Sequence, residues 1–551
     1  MPVVTMALVL LLAVVVSAFS VRLLPLKVPL PLLQIAMGAG LSCLFGFDVA
    51  FDPHLFLLLF IPPLLFLDGW RIPKGAFFRD HKPILTLAIG LVVFTVVGMG
   101  FFIHWLLPVV PLAVAFALAA ILSPTDPVAV GAMTATSPLP SRLMHILEGE
   151  SLLNDATGLV CFSFAVKAML TGTFSLGSAS LSFVVVAGGG VLIGVAVTWI
   201  IGKLNRVLLV RTGEEPSIQI LISLLIPFAA YLAAEHVHVS GILAAAVAGI
   251  AMHYSELSGN PLAATRMQRN AVWNTVQTAL NGIIFVLLGD QLPRMVRKLP
   301  EVARDSGAES TWHLLGYVMA ITLAVGALRF AWVWISLWLT TFRASLRGER
   351  HKMPRTRLLA ITAVAGVRGA ITLAGVLTLP LLMPDDSPFP SRELAILVAM
   401  GVIVMSLLFA SIGLPILTRG LESDLPESDH GSGEGPARIA ASEAAIRKIE
   451  YLLAHAPADA EQAALHAEAG MHLLDIYRRR LEYGDESGED AAHMRRLDEA
   501  ERALRRQALA AERDELFRLR RARNIDDGVH QQLVREIDLL EASLTRSSAG
   551  H

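Results

Sequence analysis

Long uninterrupted runs of apolar residues dominate the first three quarters of the chain. Thirteen of these runs are long enough to cross a bilayer core of about 30 Å. A spanning segment has to be a helix or part of a closed barrel, because the bilayer offers no water to backbone polar groups. Runs of Leu, Val, Ala and Gly without strict alternation favour helices. The predicted spans are 3–21, 28–46, 53–68, 83–106, 109–133, 150–170, 181–202, 217–234, 239–254, 271–290, 312–340, 357–383 and 393–418.

Charged residues divide the chain into two parts. Residues 1–420 carry 27 Lys and Arg against 20 Asp and Glu, whereas residues 421–551 carry 18 against 27. The net charge is therefore +7 on a sparsely charged part and −9 on a densely charged one. We predict a transmembrane domain over 1–420, a linker over 421–436 and a cytoplasmic α-helical tail over 437–551. The tail has the composition of a small helical bundle or dimerising arm, and its partner stays undefined.

The distribution of basic residues between loops predicts the orientation of the membrane domain. The odd-numbered loops hold eighteen Lys and Arg and the even-numbered loops hold five, so the odd loops are expected in the cytoplasm. The N-terminus is then outside a plasma (inner) membrane and the tail is inside. The first positive charge, Arg22, follows the first apolar run, which favours a spanning helix over a cleaved signal peptide. Neither part is basic enough to predict nucleic-acid binding, and Cys43 and Cys161 form no metal or disulfide pattern.

Two prolines interrupt the fifth span in the run 123–127, Ser-Pro-Thr-Asp-Pro. Proline lacks a backbone N–H, so the two prolines are expected to leave the carbonyl groups of Ala120 and Ser123 without helical partners. The run predicts a helix broken inside the membrane, with carbonyl oxygens and the Asp126 carboxylate facing a cavity. Such oxygen ligands suit hard cations like Na⁺. The structural alternative is a proline kink in which Asp126 caps the second half of the helix.

The sixth span begins with the polar run 148–155, Glu-Gly-Glu-Ser-Leu-Leu-Asn-Asp. Ser151 and Asp155 are four residues apart and share one face of a helix. Glu150 and Asn154 share the adjoining face in the same way. A carboxylate in a medium of low dielectric binds a proton more readily and can exchange it for a cation at cellular pH. Asp155 lies deepest in the span and is the best candidate for that exchange.

Two arginines lie inside later spans. Arg329, in the eleventh span, cannot shed its charge and needs a buried acid or carbonyl groups. Glu150 is the acid that remains once the two aspartates are assigned to an ion. Arg368 lies between glycines in the run 366–370, which predicts a second interrupted helix. We expect Arg368 to donate hydrogen bonds to the carbonyl groups that this interruption leaves free. The five buried charges sum to −1, so one cation or proton brings this set to neutral.

Several other polar residues lie near the edges of spans. Asp68, Asp290 and Lys167 fall near span ends, so we expect them to reach the membrane interface. His236 and His238 lie between the eighth and ninth spans, where a solvated loop is expected. A pH-sensing role is the alternative for these histidines, because histidine titrates near neutrality.

Five motifs in the same order resemble those of the monovalent cation:proton antiporter superfamily, in particular its NhaP-type sodium/proton exchanger branch. These motifs are SPTDPVAV (123–130), EGESLLNDATGLV (148–160), SGILAAAVAGI (240–250), FVLLGDQLP (285–293) and GVRGAITLAGVL (366–377). The resemblance covers nearly all of residues 1–420. It implies a thirteen-helix, all-α membrane fold with inverted repeats, a dimerisation domain and a mobile core in which two unwound helices cross.

The resemblance also implies a set of site residues. The cation and proton ligands are expected at Asp155, Asp126, Ser151 and the backbone around Thr125. The supporting residues are expected at Glu150, Asn154, Arg329 and Arg368. The Asn154-Asp155 pair, in place of two adjacent aspartates, marks the electroneutral branch and implies one cation exchanged per proton.

We therefore expect a secondary active transporter, not an enzyme. It exchanges Na⁺ or Li⁺ for H⁺ by alternating access, with cation and proton competing at Asp155. Both ions are transported, no cofactor is expected, and the protein is expected as a homodimer in membrane lipid. The alternatives are K⁺/H⁺ exchange, a cation channel and a membrane sensor.

Overall fold

The chain forms two compact units, Met1–Leu421 and Glu422–His551. The structure is a computed structural model. It describes all residues except 1–2, 24–27, 47–52, 135–138, 173–175, 214, 258–262, 306–310, 347–355, 420–433, 456–459, 483–488, 523, 526 and 546–551.

The first unit is built from helices. Among its described residues these are α1 (Val3–Leu23), α2 (Leu30–Phe45), α3 (Pro53–Arg71), α4 (Lys74–Arg79), α5 (His81–Leu85), a π-helical stretch (Thr86–Leu91), α6 (Val92–Leu106), α7 (Leu112–Leu122), α8 (Pro127–Met133), α9 (Ser141–Thr171), α10 (Leu176–Thr212), α11 (Pro216–His236), α12 (Gly241–Leu257), α13 (Ala263–Asp305), α14 (Thr311–Leu346), α15 (Thr356–Val364), α16 (Ala370–Leu377) and α17 (Arg392–Thr418).

Every one of the thirteen predicted spans corresponds to a helix or to consecutive helices of the described chain. Within the described residues, eight helices are long and apolar enough to cross a membrane unaided, and the bent pair α7–α8 makes a ninth. The prediction of a helical membrane protein with about thirteen spans is confirmed. The inverted relation of its two halves stays a prediction.

Helix ends differ from the predicted span ends where a helix continues into polar sequence. α9 begins at Ser141, nine residues before the predicted span, and α13 runs to Asp305 rather than to residue 290. Apolar runs mark the part of a helix that matches the hydrocarbon core, whereas the helix itself continues as long as its residues favour helical backbone. Asp155 therefore lies in the middle of α9 and not near its start.

One group of helices, α1 to α3 and α10 to α13, packs mainly on itself. The contact between α3 and α12 depends on two glycines, because a Cβ atom added at Gly69 or at Gly249 would overlap a carbonyl oxygen of the facing helix. The same reciprocal arrangement joins α2 to α13 at Gly38 and Gly289. Small residues let helix backbones touch inside a membrane. We call α2, α3, α12 and α13 the frame.

The other group contains α5 to α9 and α14 to α17, and two of its spans are interrupted. Pro124 and Pro127 end α7 and start α8, and the two halves meet at an angle of 47°. α15 ends at Val364 and α16 begins at Ala370, with Gly366 and Gly369 in the non-helical backbone between them. Both predicted interruptions are present.

The second unit contains four helices among its described residues: α18 (Glu434–Ala454), α19 (Ala460–Glu482), α20 (Glu489–Arg521) and α21 (Asp527–Thr545). α18 packs on α19 and α20 packs on α21. Arg513 joins the second pair through Asp538, at 2.8 Å, and Glu541, at 2.5 Å. Residues 421–433 of the predicted linker lie outside the described residues and 434–436 form the start of α18, so the linker stays a prediction.

Candidate functional site

The two helix interruptions meet each other inside the first unit. The backbone N–H of Asp126, in the first interruption, donates to the carbonyl of Val367, in the second, at 2.8 Å. In return, Nε of Arg368 donates to the carbonyl of Leu122 at 2.8 Å. The same guanidinium also donates to the carbonyl of Gly366. Arg368 is buried and donates to free carbonyl groups, as its position between glycines predicted.

On α7, Arg368 donates to the carbonyl of Leu122, whereas the carbonyls expected to be free were those of Ala120 and Ser123. The carbonyl of Ala120 accepts a hydrogen bond from the N–H of Ser123 at 3.4 Å, because the last turn of α7 tightens into an i to i+3 pattern. The Leu122 carbonyl has no helical partner for a different reason, because the N–H of Asp126, four residues later, donates to Val367 instead. The backbone N–H groups that the two prolines lack do not by themselves predict that the last turn of α7 tightens.

Asp126 is both a helix cap and a cavity residue. Its Oδ1 accepts from the N–H groups of Val128, at 2.9 Å, and Ala129, at 3.3 Å, which satisfies the first turn of α8. Its Oδ2 lies against Gly369, where any Cβ atom would overlap the carboxylate. The absence of a side chain at Gly369 thus makes room for the Asp126 carboxylate where the two interruptions cross.

Thr125 joins the first interruption to α9. Its carbonyl accepts from the Ser151 hydroxyl at 2.8 Å, and its own hydroxyl oxygen accepts from the Asn154 amide at 3.1 Å. The Thr125 hydroxyl also lies 3.5 Å from Oε1 of Glu150. All four residues are buried. The two faces of α9 predicted from sequence both turn toward the broken helix.

Glu150 and Arg329 form a buried ion pair, as predicted. The guanidinium donates to both carboxylate oxygens, at 2.5 and 2.7 Å, and its Nε donates to the carbonyl of Thr362 at 2.8 Å. The two side chains are only 1% and 2% exposed. The pair links α9 to α14 and α15 directly behind the predicted ligands. It engages both oxygens of Glu150, and the roles of Asp126 and Asp155 as ion ligands stay a prediction.

A narrow cavity of about 50 Å³ lies where these elements meet. Roughly 10–15 Å³ of such volume holds one water molecule, so the cavity fits a small cation with a few waters. The residues that line it are Ile61, Leu64, Leu65, Asp68, Pro124, Thr125, Asp126, Pro127, Val128, Ser151, Asp155, Asn281, Gly369, Ile371 and Thr372. All four predicted ligands are among them. Among the described residues, no group of three or more His, Cys, Asp or Glu is arranged to hold a metal ion.

Asp68 belongs to this cavity, so the expectation that it reaches the membrane interface is wrong. It is half-buried on α3 and is the only acid of that helix. Its place near the end of an apolar run suggested the interface, because hydropathy alone does not show that a cavity reaches toward that end. Asp68 changes the sum of the charges from −1 to −2. Asp290 also differs from expectation, since its side chain is fully buried beside Arg294.

Lys74 closes the end of α3 just beyond Asp68. Its Nζ donates to the carbonyls of Gly69, Trp70 and Ile72 at 2.8, 2.6 and 3.0 Å. These are carbonyls that the end of a helix leaves without partners. Burial lowers the pKa of Lys74 from its ordinary value of 10.5 to about 8.

Two interrupted helices that cross at buried carboxylates, inside a bundle of spanning helices, are typical of ion-coupled secondary transporters. The comparison with known proteins identifies the kind of transporter. The transmembrane model of the sodium/hydrogen exchanger family matches residues 9–420, and the chain belongs to this family. It is a monovalent cation:proton antiporter of the NhaP type.

Relatives and solved structures agree with this assignment. The chain is 41% identical over 545 residues to an uncharacterized Na⁺/H⁺ exchanger, YjcE, of Escherichia coli K12, covering 98% of each chain. It is 41% identical over 417 residues to a sodium, potassium, lithium and rubidium/H⁺ antiporter of Bacillus pumilus, covering 75% of this chain and 61% of the relative. The fold is similar to that of the sodium proton antiporter MjNhaP1 of Methanocaldococcus jannaschii, with a TM-score of 0.57 at 17% identity over 76% of this chain and 99% of that one.

The family decides between the broad classes of function that the sequence left open. It is a family of transporters and not of enzymes, and its members exchange cations for protons. The expectation of cation/proton antiport is therefore confirmed, in preference to a channel or a sensor.

Proposed function

We propose that the protein exchanges Na⁺ for H⁺ without net charge movement, and that cation and proton compete at Asp155. The observation that supports this proposal is the position of one deeply buried carboxylate in a narrow cavity between two crossed helix interruptions. Broken helices of this kind supply carbonyl oxygens at membrane depth, where these oxygens can replace part of the hydration shell of an ion.

The cation ligands we propose are the carboxylates of Asp155 and Asp126, the Ser151 hydroxyl and backbone oxygen at Thr125. Ser151 uses its hydrogen on the Thr125 carbonyl, so its oxygen lone pairs remain available to a cation. Asn154 supports Thr125 through its amide, and Arg368 holds the two interruptions together. These ligands are all oxygens, which is the donor set that small alkali cations prefer.

Competition between the two ions follows from electrostatics. A protonated Asp155 has lost the charge that attracts a cation, and a bound cation makes protonation unfavourable. Coupling requires that the ion cavity switches its access from one side of the membrane to the other only when Asp155 holds one of the two ions. The net result is exchange in opposite directions by alternating access.

Electroneutral exchange rests on the charge balance around the cavity. Glu150 and Arg329 cancel each other, and Arg368 offsets one of the acids at the crossing. Asn154 places an uncharged amide next to Asp155, so α9 contributes one exchanging carboxylate and not two. Asp68 stands at the half-buried edge of the cavity, where we propose that it attracts the cation through water.

A broader cation range is the second candidate. The Bacillus pumilus relative, whose name includes potassium and rubidium, is 41% identical over 417 residues. The same set of oxygens can accept a larger cation if the cavity widens slightly. K⁺/H⁺ exchange through the same site is therefore the alternative that the experiment below has to separate.

We also propose the setting of the exchanger. The excess of basic residues in the odd-numbered loops supports an orientation in the plasma (inner) membrane with the N-terminus outside and the tail in the cytoplasm. We propose a homodimer, with residues 1–420 as the transporting domain, 421–436 as a linker and 437–551 as a tail of unknown partner.

The experiment uses the purified full-length protein in liposomes that contain a pH-sensitive dye. Adding Na⁺, Li⁺ or K⁺ outside is expected to raise the internal pH in the wild type, in an order that gives the cation preference. Asp155→Asn is expected to abolish the response to every cation. Asp386→Asn is the matched control, because Asp386 is exposed and has a positive φ of 61°, a conformation that Asn tolerates well.

Electrical recording of the same liposomes tests the stoichiometry. One-for-one exchange gives no sustained current on cation addition, whereas unequal exchange does. Cation-driven pH change that survives in Asp155→Asn would refute the role of Asp155, and a sustained current would refute electroneutrality.

A further inference from the structure

A second cavity, of about 250 Å³, lies at the end of the frame where α3 and α12 finish and α13 begins. We call it the arginine cavity. Its described lining contains three arginines and no carboxylate. The lining residues are Trp70, Arg71, His253, Arg266, Arg269 and Asn270.

The guanidinium of Arg71 is held in a fixed direction by neutral partners. It donates to Oε1 of Gln277 at 2.6 Å and to Oδ1 of Asn274, both on α13. Amide oxygens orient the planar fork without cancelling its charge. The only acid on α3 is Asp68, which lines the ion cavity and attracts Arg71 from there without a direct hydrogen bond to it.

Arg269 brings a second fixed charge into the wall of the same cavity. Its side chain is 4% exposed, and its guanidinium lies over the ring of Trp70, 5.9 Å from the ring centroid. A guanidinium stays charged when it is buried. Arg266, one turn earlier on α13, is exposed and places a third charge at the cavity mouth.

The charge of the arginine cavity is reinforced by its surroundings. Lys74 lies at the same end of α3, bonded to the carbonyls of Gly69, Trp70 and Ile72. The cavity also lies at the ends of spans that lead into odd-numbered loops, which carry most of the basic residues. That side of a membrane faces the leaflet with the more negative surface.

We propose that the arginine cavity binds a phosphate-bearing anion. Guanidinium forks match the geometry of phosphate oxygens and can donate to two of them at once. The volume lies just below the range of about 300–1,000 Å³ that is usual for sites of drug-sized ligands. At about 10–15 Å³ per water molecule the cavity has room for a phosphate group together with several waters or neighbouring headgroup atoms. The phosphate can be supplied either by a lipid headgroup or by free phosphate. The proposal concerns binding and does not rest on the proposed exchange reaction.

Binding to the purified full-length protein, in a neutral detergent and phosphate-free buffer, tests the proposal. Inorganic phosphate and short-chain phosphatidic acid are titrated separately, and short-chain phosphatidylcholine serves as the lipid without net charge. We expect saturable binding of phosphatidic acid, weakened about tenfold or more by Arg269→Gln or Arg266→Gln. Arg211→Gln is the matched control, because Arg211 is an exposed arginine near the end of α10 and outside the cavity.

The outcomes separate the two sources of phosphate. Saturable binding of both probes means that the phosphate group alone is sufficient, and binding of phosphatidic acid alone means that the ligand is a lipid headgroup. Either result supports the site if the cavity variants lose affinity and the control does not. Absence of saturable binding to both probes overturns the proposal, as does equal weakening in Arg211→Gln. If Arg269→Gln does not fold, the exposed Arg266→Gln decides alone.

Discussion

The ion pair between Glu150 and Arg329 offers the sharpest test of how the site is held. Glu150→Gln keeps the shape and volume of the side chain and removes its charge. The Arg329 guanidinium then stays buried with a carbonyl and a neutral amide in place of a carboxylate. The geometry around Thr125 is otherwise unchanged, so the variant isolates the charge of the pair.

The magnitude follows from burial and distance. Two unit charges within about 4 Å attract each other by about 4 kcal/mol at an effective dielectric constant of 20. Removing one partner of a buried pair costs about 3–5 kcal/mol, because the other charge remains desolvated. With an unfolding entropy of about 2.1 cal/mol/K per residue, a domain of roughly 420 residues changes its melting temperature by about 1 °C per kcal/mol. Glu150→Gln is therefore expected to lower the melting temperature by about 3–6 °C.

A double-mutant cycle measures the pair itself. Thermal unfolding of purified protein is followed by intrinsic fluorescence for Glu150→Gln, Arg329→Met and the double variant. We expect the double variant to be more stable than the sum of the single losses predicts, with a coupling of about 2 kcal/mol or more. Glu393→Gln is the matched control, because Glu393 pairs with Lys298 at the surface, where such pairs contribute about 1 kcal/mol or less. Losses that add within about 0.5 kcal/mol would show that Glu150 and Arg329 act independently and refute the reasoning.

Three further changes test other parts of the site. Gly369→Ala puts a Cβ atom onto Oδ2 of Asp126, so exchange is expected to fall roughly a hundredfold; Gly316→Ala, which meets no atom within 4 Å, is the control and should exchange normally. Asp68→Asn removes one water-screened attraction of about 1 kcal/mol, so the cation concentration for half-maximal rate should rise about fivefold at an unchanged maximal rate; complete loss of exchange would contradict its role at the edge. Lys74 has a pKa of about 8 in the folded protein and 10.5 ordinarily, so the unfolded chain binds more protons between these values. The melting temperature of the wild type should therefore rise relative to Lys74→Gln as the pH increases from about 8 to 10.5, and a constant difference would contradict the lowered pKa.

Much of the site could be predicted from sequence because its signals are local. A proline pair predicts a broken helix wherever it lies, and four-residue spacing puts Ser151 and Asp155 on one face of α9. The pairing of Arg329 with Glu150 followed from elimination, since a buried guanidinium needs an acid and the two aspartates were assigned to an ion. The thirteen spans could also be predicted from a local signal, because a helix that crosses the bilayer requires a continuous apolar run.

The errors came from features that depend on the packing of distant helices. The place of Asp68 near the end of its apolar run predicted a position at the membrane interface. Asp68 lines the cavity because α3 packs beside the broken helices. Asn281, which no sequence signal singled out, lines the same cavity from α13. The carbonyl of Leu122 is free to accept from Arg368 because the N–H of Asp126 donates to Val367 on the other interrupted helix.

The backbones of α3 and α12 touch at Gly69 and Gly249, so neither helix can slide along the other by even one residue, about 1.5 Å, without separating the pair. α2 and α13 are fixed in register in the same way. Asp68 is therefore attached to a wall of constant shape, whereas Asp126 and Asp155 belong to helices that pack beside that wall. Asp68 therefore lies on one side of the contact between the two groups of helices, and Asp126 and Asp155 lie on the other side. Any sliding along this contact changes the distance between Asp68 and the other two carboxylates.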